Sequence, residues 1–207
     1  MLQVEAVDSS TLELLKKIMR IEELSGLRLV GGTSLALRFG HRLSMDLDLF
    51  GNLNVDQYEM INLLNKAGSV KQLNITTNIK SFLINEIKVD LVNYPYEWIS
   101  PCVVENEIRL AGIDDIASMK LAAITGRGSK KDFIDIYFLL DKYSLADLLK
   151  LYNQKYPDGS EFLVLRSLNY FKDADQDIMP TMINKVEWDQ VKNEIKLQVQ
   201  SYLNSGN

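Results

Sequence analysis

The sequence predicts an α+β or α/β fold in which a mixed β-sheet with flanking helices is followed by an α-helical region. Residues 1–110 combine segments with the two-residue period of strands and segments with helical spacing, whereas residues 111–207 have helical spacing almost throughout. The change follows residues 93–101, which hold two of the four prolines and have the composition of a linker or crossover. We therefore expect an α/β core over residues 1–110 and a helical region over residues 111–207.

Helical and extended segments alternate in the first region. Residues 10–24 carry apolar side chains at helical spacing, with Ser9 or Ser10 as the expected N-cap and Gly26 as the expected end. Residues 70–92 are rich in β-branched side chains and predict two or three antiparallel strands with a turn at Asn85-Glu86. The other predicted elements are strands over 27–30 and 45–50, and helices over 33–39, 55–66, 114–124, 129–142, 145–152, 160–171 and 187–203.

Composition and charge restrict the classes of function. The net charge is −5 and the pI about 5.0, whereas a protein that wraps duplex nucleic acid usually has a strong basic excess. A small anionic substrate or one short nucleic-acid end is compatible with this charge. One cysteine and one histidine exclude an internal disulfide and the usual cysteine/histidine zinc cluster. The absence of a membrane-length apolar run and of a basic secretory leader leads us to expect a cytoplasmic protein without membrane contacts.

Two glycines precede the predicted helix at 33–39. The first backbone N–H groups of a helix lack intrahelical acceptors, and glycine lets a phosphate approach them closely. Gly31 and Gly32, with the hydroxyls of Thr33 and Ser34, are therefore candidates for phosphate binding. The alternative is an ordinary turn with a helix N-cap.

Three aspartates interrupt apolar segments. Asp46 and Asp48 are two residues apart on a predicted strand and therefore share one face of it. Asp90 interrupts the predicted strand after Asn85-Glu86 and completes the cluster if the two strands are neighbours. Such carboxylates repel each other unless a cation binds, and Mg²⁺ prefers oxygen ligands of this kind. The alternatives are that the first pair meets solvent at a sheet end and that Asp90 only ends a strand. We interpret the nearby His41 as a surface or packing residue rather than a catalytic base.

A basic element follows in the helical region. Lys120 and Arg127 are seven residues apart, on one side of a predicted helix and its end, and Lys131 opens the next helix, where an anionic ligand would offset its charge. Lys120 could instead be a solvated surface charge. Ser129 and Asp132 have the spacing of a capping box, a role that is compatible with ligand binding.

These residues together resemble a known pattern. Val30-Gly31-Gly32, thirteen further residues and Asp46-Leu47-Asp48-Leu49 resemble the signature of the nucleotidyltransferase superfamily of DNA polymerase β. The string from Arg42 to Phe50 resembles the AbiEii/AbiGii toxins of bacterial abortive-infection toxin–antitoxin pairs. The later elements of that family are matched by Asp90-Leu91-Val92, Lys120, Arg127 and Lys131-Asp132.

The resemblance implies a nucleotidyltransferase fold and a role for each matched residue. Asp46, Asp48 and Asp90 would bind metal, two Mg²⁺ ions with Mn²⁺ as the alternative, and would be catalytic together with Lys120. The helical region over residues 111–207 would complete the nucleotide site. The residues implied in nucleotide binding are Gly31, Gly32, Thr33, Ser34, Arg42, Ser44, Arg127, Lys131 and Asp132.

The resemblance also implies a reaction. A nucleoside monophosphate would pass from a nucleoside triphosphate to an acceptor hydroxyl of RNA, such as a transfer RNA 3′ end, or of a protein, and a cognate antitoxin would be the protein partner. Two alternatives stay open at this point. The acceptor could be a small molecule, as for antibiotic-modifying nucleotidyltransferases, or the chain could be a non-catalytic nucleotide- or partner-binding module.

Overall fold

The computed structural model describes residues 1–205, which form eight α-helices and one seven-stranded mixed sheet. The predicted fold class is therefore confirmed. None of the helices in the described residues is long and apolar enough to cross a membrane. The helices are α1 Ser9–Met19, α2 Gly31–Phe39, α3 Gln57–Asn65, α4 Ile113–Gly126, α5 Lys130–Leu140, α6 Leu145–Lys155, α7 Glu161–Leu168 and α8 Trp188–Asn204. The strands are β1 Leu27–Leu29, β2 Leu47–Gly51, β3 Val70–Ile75, β4 Ile79–Ile84, β5 Ile87–Asn93, β6 Val103–Glu105 and β7 Ile108–Leu110.

The chain divides into two compact units. The first unit comprises Met1–Tyr96 and Pro101–Ala111 and contains the whole sheet with α1, α2 and α3. The second comprises Glu97–Ser100 and the chain from Gly112 onward, and it contains α4 to α8.

The sheet of the first unit is mixed, with the strand order β3-β4-β5-β2-β1-β7-β6. Strand β2 is parallel to β5 and antiparallel to β1, so it lies inside the sheet. Alternate residues of β2 and β5, among them Leu47, Leu49, Val89 and Leu91, are fully buried in the same hydrophobic core as side chains of α1 and α3. Because strand side chains alternate between faces, Asp48 lies on the opposite face from this core.

Local signals explain most element boundaries, with some corrections. Strands β4 and β5 are joined at Asn85-Glu86, where both residues have positive φ (48° and 66°), so the predicted turn is confirmed. The N-cap of α1 is Asp8, whose carboxylate accepts from the Ser10 N–H at 2.8 Å. The predicted cap at Ser9 or Ser10 was therefore wrong. The helix also ends at Met19, well before Gly26, and a short 3-10 turn follows it.

One hairpin was not predicted at all. Strands β6 and β7 pair across Asn106-Glu107, which has the same pair of positive φ angles (51° and 67°) as the turn between β4 and β5. Each of these strands is only three residues long. Such a length is too short for an alternating pattern to stand out from the surrounding sequence.

A buried ion pair organises the start of the second unit. The Lys155 ammonium lies 2.6 Å from the Asp115 carboxylate, and both side chains are fully buried. The ammonium also lies 4.8 Å from the ring centroid of Trp98. Asp115 accepts in addition from the backbone N–H groups of Ile99 at 2.8 Å and Ser100 at 3.0 Å. These bonds attach the crossover segment to α4 and α6, which explains why it belongs to the second unit.

Candidate active site

Two of the three predicted carboxylates are direct neighbours. In the parallel register of β2 and β5, Asp48 lies opposite Asp90. Both side chains project from the face of the sheet that is turned away from the core, and both are partly exposed. The strand pairing that the sequence argument assumed is therefore present, and two negative charges meet on one patch of the sheet.

Asp46 lies in the segment immediately before β2. The strand begins at Leu47, and Met45 is 70% exposed, so the predicted strand start at residue 45 was wrong. This segment is fixed instead by Thr33, whose hydroxyl donates to the Asp46 backbone carbonyl and lies 2.8 Å from the hydroxyl of Ser44. The buried Thr33 hydroxyl thus connects α2 to the chain that carries Asp46.

The glycine turn lies directly beside Asp48. Gly31 begins α2 with a φ of +68°, and the preceding Val30 N–H donates to the Asp48 carbonyl at 2.9 Å. A β-carbon on Gly31 would overlap the Asp48 carboxylate. The start of α2, with its outward N–H groups, therefore adjoins the carboxylates, which is the arrangement that a phosphate bound through cations requires.

This close approach predicts the effect of Gly31→Ala. The left-handed backbone costs an L-residue roughly 1–2 kcal/mol, and the new methyl group must displace the Asp48 carboxylate. We expect a lower free energy of unfolding by about that amount and a turnover per folded molecule that falls by much more than the loss of folded protein accounts for. Chemical denaturation and turnover of the same sample measure both.

Gly126→Ala is the matched control, because a β-carbon at Gly126 meets no atom within 4 Å in the described residues. This substitution should leave turnover unchanged and stabilise α4 slightly. Equal effects of the two substitutions would contradict the proposed role of Gly31.

Lys88 is a site residue that the sequence argument missed. Its ammonium lies 2.6 Å from the Asp90 carboxylate. Partial burial by itself lowers the pKa of Lys88, but the hydrogen bond and charge of Asp90 and the charges of Asp48 and Asp46 outweigh it and raise the pKa above its usual value. The charges of all three aspartates therefore act on the Lys88 ammonium. The sequence held a usable signal, because Lys88 and Asp90 are two residues apart on one strand and must share a face.

The carboxylates of Asp48 and Asp90 suit a divalent cation that takes its remaining ligands from a bound substrate. The Oδ1 atom of Asp90 is buried and has no hydrogen-bond partner within residues 1–205, although buried carboxylate oxygens are normally paired. Among those residues, no group of three or more His, Cys, Asp and Glu side chains is placed to hold a metal ion. Mg²⁺ commonly binds one or two protein carboxylates plus substrate phosphates. Asp48 and Asp90, with Asp46 nearby, fit that pattern.

The remaining predicted residues of the first unit are mostly buried. The Ser34 hydroxyl is buried and has no partner in the described part of the chain. Arg42 is 3% exposed and donates to the Leu43 carbonyl at 3.1 Å. His41 is fully buried with its ring 5.9 Å from that of Phe39, so it is a packing residue, as we interpreted it.

In the second unit, Lys120 is the centre of a buried ionic cluster. Its ammonium lies 2.9 Å from Asp132 and 2.5 Å from Asp135, and the three side chains are 5% exposed or less. The alternative that Lys120 is a solvated surface charge is therefore excluded. Arg127 joins the cluster through its Nε atom, 3.0 Å from Asp132, while 65% of its side chain stays exposed. Lys131 is exposed on the adjacent first turn of α5.

The predicted capping box at the start of α5 does not form. Ser129 occupies the N-cap position, but its hydroxyl donates to the Asp132 carboxylate at 2.5 Å and makes no capping bond to the backbone. The Lys130 N–H donates instead to the carboxylate of Asp177 at 2.9 Å. The anion expected at this helix N-terminus is therefore supplied, at Lys130, by the protein itself.

The cluster predicts a pH dependence of stability. Burial alone raises the pKa of Asp132, but the charges of Lys120 and Arg127 and the hydrogen bonds from Ser129 and Arg127 hold it well below the usual 3.8. A carboxyl with a depressed folded-state pKa stabilises the fold above its unfolded pKa, and the contribution is lost as the pH falls through the folded value.

We therefore expect the difference in unfolding free energy between the wild type and Asp132→Asn to be constant above about pH 5 and to shrink below about pH 4. Denaturation at several pH values measures it. Asp147→Asn is the comparison, because hydrogen bonds with Ser144 also lower the pKa of Asp147, but this carboxylate is exposed, so its pH-dependent difference should be smaller than that of Asp132→Asn. A difference for Asp132→Asn that persists unchanged at the lowest pH at which the protein folds would contradict the assignment.

The fold and the site together define a nucleotidyltransferase. Residues 13–203 match the family described as "Nucleotidyl transferase AbiEii toxin, Type IV TA system". Since this match covers most of the chain, the protein belongs to the AbiEii nucleotidyltransferase toxin family. The resemblance seen in the motifs is thereby confirmed, and so is the prediction that the protein is an enzyme of the nucleotidyltransferase class.

Individual proteins are similar to this chain in sequence or in fold. The chain is 34% identical over 197 residues to the protein aq_aa25 of Aquifex aeolicus (strain VF5). This alignment covers 92% of this chain and 95% of the relative. The crystal structure of JHP933 from Helicobacter pylori has a TM-score of 0.60 at 18% identity and covers 93% of this chain and 88% of its own. MenT4, a nucleotidyltransferase toxin from Mycobacterium tuberculosis H37Rv, has a TM-score of 0.52 at 14% identity over 93% and 86% of the two chains. The two solved structures share the fold.

Proposed function

We propose that this protein is a Mg²⁺-dependent toxin that transfers a nucleoside monophosphate from a nucleoside triphosphate to an acceptor hydroxyl, and that this hydroxyl belongs to RNA, such as a transfer RNA 3′ end. The observation that carries the proposal is the register of Asp48 against Asp90, beside the glycine turn at the start of α2. Membership of a type IV toxin–antitoxin family supports a cognate antitoxin as partner.

The chain's own residues suit the steps of such a transfer. Mg²⁺, held by Asp46, Asp48 and Asp90, would neutralise charge on the triphosphate and lower the pKa of the attacking hydroxyl. The backbone N–H groups at Gly31 and Gly32 would donate to phosphate oxygens. Asp90 would share one cation and help to deprotonate the acceptor hydroxyl when it attacks the α-phosphorus and pyrophosphate leaves.

The basic element is proposed to act on phosphate as well. Arg127 has most of its side chain exposed while Asp132 fixes its orientation, and Lys131 is exposed on the adjoining helical turn. An Arg held by a carboxylate loses less conformational entropy when it binds phosphate. Lys120, by contrast, contacts two buried carboxylates, so its proposed contribution runs through Asp132 and Asp135.

A labelling experiment tests the proposal. Purified protein is incubated with Mg²⁺, total RNA and each of the four nucleoside triphosphates, labelled either at the α- or at the γ-phosphate. We expect label from the α-phosphate, and none from the γ-phosphate, to enter an RNA band, and we expect EDTA to abolish the reaction. Label that enters protein, or a small molecule such as an aminoglycoside, would move the assignment to that acceptor. An absence of transfer to any acceptor would support the non-catalytic module.

A further inference from the structure

The carboxylate site already contains a cation of the protein's own. Lys88 lies two residues before Asp90 on β5, and its ammonium is 2.6 Å from the Asp90 Oδ2 atom. The charges of Asp48 and Asp46 also act on this ammonium. The side chain is 46% exposed, so it is free to leave the carboxylate through solvent without any change in the core.

We propose that Lys88 is a positioning residue that acts as a built-in counter-ion. Its ammonium neutralises the carboxylates in the metal-free protein and must leave Asp90 when a divalent cation binds. The inference rests on the proposed metal-dependent function and deepens it, because it assigns a residue that controls when the metal enters.

The reason lies in the competition for one carboxylate. A divalent cation that approaches Asp90 gains the attraction of Asp48 and Asp46, but it meets the positive charge of Lys88 and must break a short ion pair. A triphosphate carries about four negative charges and attracts both the divalent cation and the displaced ammonium, which offsets the cost of breaking the ion pair. Lys88 therefore makes binding of the bare cation weak and favours entry of the cation together with the nucleotide.

The two oxygens of Asp90 differ in a way that agrees with this role. Oδ2 is held by Lys88, whereas Oδ1 is buried and has no partner within residues 1–205. A cation bound at Oδ1 would lie close to the ammonium on Oδ2 of the same carboxylate, and the repulsion between the two positive charges would drive Lys88 away. Buried carboxylate oxygens are normally paired, so the unpaired Oδ1 is consistent with a ligand that binds there.

The test is the binding of Mn²⁺ alone, measured by electron paramagnetic resonance or calorimetry on the whole protein without nucleotide. We expect Lys88→Met to bind Mn²⁺ roughly tenfold or more tightly than the wild type, because a nearby positive charge has been removed. Lys88→Arg, which keeps the charge, should stay within about twofold of the wild type by the same reasoning. Lys66→Met removes an exposed charge just after α3 and should also leave the affinity unchanged.

Thermal unfolding gives a second readout that does not depend on activity. Without metal, Lys88→Met should melt below the wild type, since its carboxylates then repel each other without a counter-ion. Saturating Mn²⁺ should raise its melting temperature by more than it raises that of the wild type. Adding Asp90→Asn to Lys88→Met should cancel the gain in affinity.

The outcomes separate the two proposals. If the wild type binds Mn²⁺ and the affinity of Lys88→Met is within twofold of it, the counter-ion role is overturned and the proposed function still stands. An absence of Mn²⁺ binding in every variant, with and without a nucleoside triphosphate, would overturn both.

Discussion

Asp48→Asn should abolish nucleotide transfer while leaving the fold intact. The side chain lies opposite Asp90 on the open face of the sheet, and asparagine has nearly the same shape but no charge. Loss of this ligand charge should lower turnover by about 10³-fold or more, which corresponds to roughly 4 kcal/mol of transition-state stabilisation. Asp46→Asn should act in the same direction.

The stability of Asp48→Asn, unlike its turnover, should not fall when metal is absent. Because Asp48 and Asp90 are adjacent carboxylates, removal of one charge relieves repulsion in the metal-free protein. We therefore expect the melting temperature of Asp48→Asn in EDTA to equal or exceed that of the wild type. Mg²⁺ with a nucleoside triphosphate should raise it less than it raises the wild type.

Asp56→Asn is the matched control for this experiment. Asp56 lies in the same unit, and its carboxylate can be replaced by an amide in the same way. It caps α3 by accepting from the N–H groups of Tyr58 and Glu59. Asparagine caps helices about as well as aspartate, so both turnover and stability should stay close to the wild type. A turnover of Asp48→Asn within tenfold of the wild type would falsify the proposed mechanism.

Lys120→Met should cause the largest loss of stability among single substitutions in the ionic cluster. The ammonium is the shared partner of Asp132 and Asp135, and both of these side chains are fully buried. Its removal leaves two carboxylates close together in the interior, and breaking a buried pair in this way typically costs about 3–5 kcal/mol. Urea denaturation of the wild type and the variant measures the difference.

A second variant separates the structural role of Lys120 from a catalytic one. In Lys120→Met/Asp135→Asn, one of the two stranded charges is removed as well, so a large part of the lost stability should return. Asp132 keeps its contacts with Arg127 and Ser129 in this variant. Turnover per folded molecule close to the wild type would show that Lys120 acts through the fold. A turnover that stays low after stability is recovered would support direct action on the nucleotide.

The sequence determined the local structure and the chemistry of the first unit to a large extent. Apolar periodicity placed the helices and the main strands, because a helix or strand must bury one face whatever its neighbours are. The two-residue spacing of Asp46 and Asp48 predicted a shared polar face, although Asp46 lies just before β2. The resemblance of the motif around Asp46 and Asp48 led to a family that the whole-chain comparison confirms.

The sequence did not determine the contacts that arise between distant segments. Nothing in the local pattern shows that Asp90 lies opposite Asp48, since strand register depends on the packing of the complete sheet. Lys88 was missed although its spacing from Asp90 on β5 was a local signal, and the further charges that act on it, those of Asp48 and Asp46, come from a distant part of the chain.

The second unit shows the same division between local signals and tertiary contacts. The spacing of Ser129 and Asp132 predicts a capping box on its own, yet the buried ammonium of Lys120 and the guanidinium of Arg127 engage the Asp132 carboxylate. A buried charge gains more from ionic partners than from a backbone N–H, so the ion pairs prevail. Local sequence thus determined which residues carry the charges, and only the tertiary structure decided which of them neutralise one another, because electrostatic energy depends on distances in space and on burial.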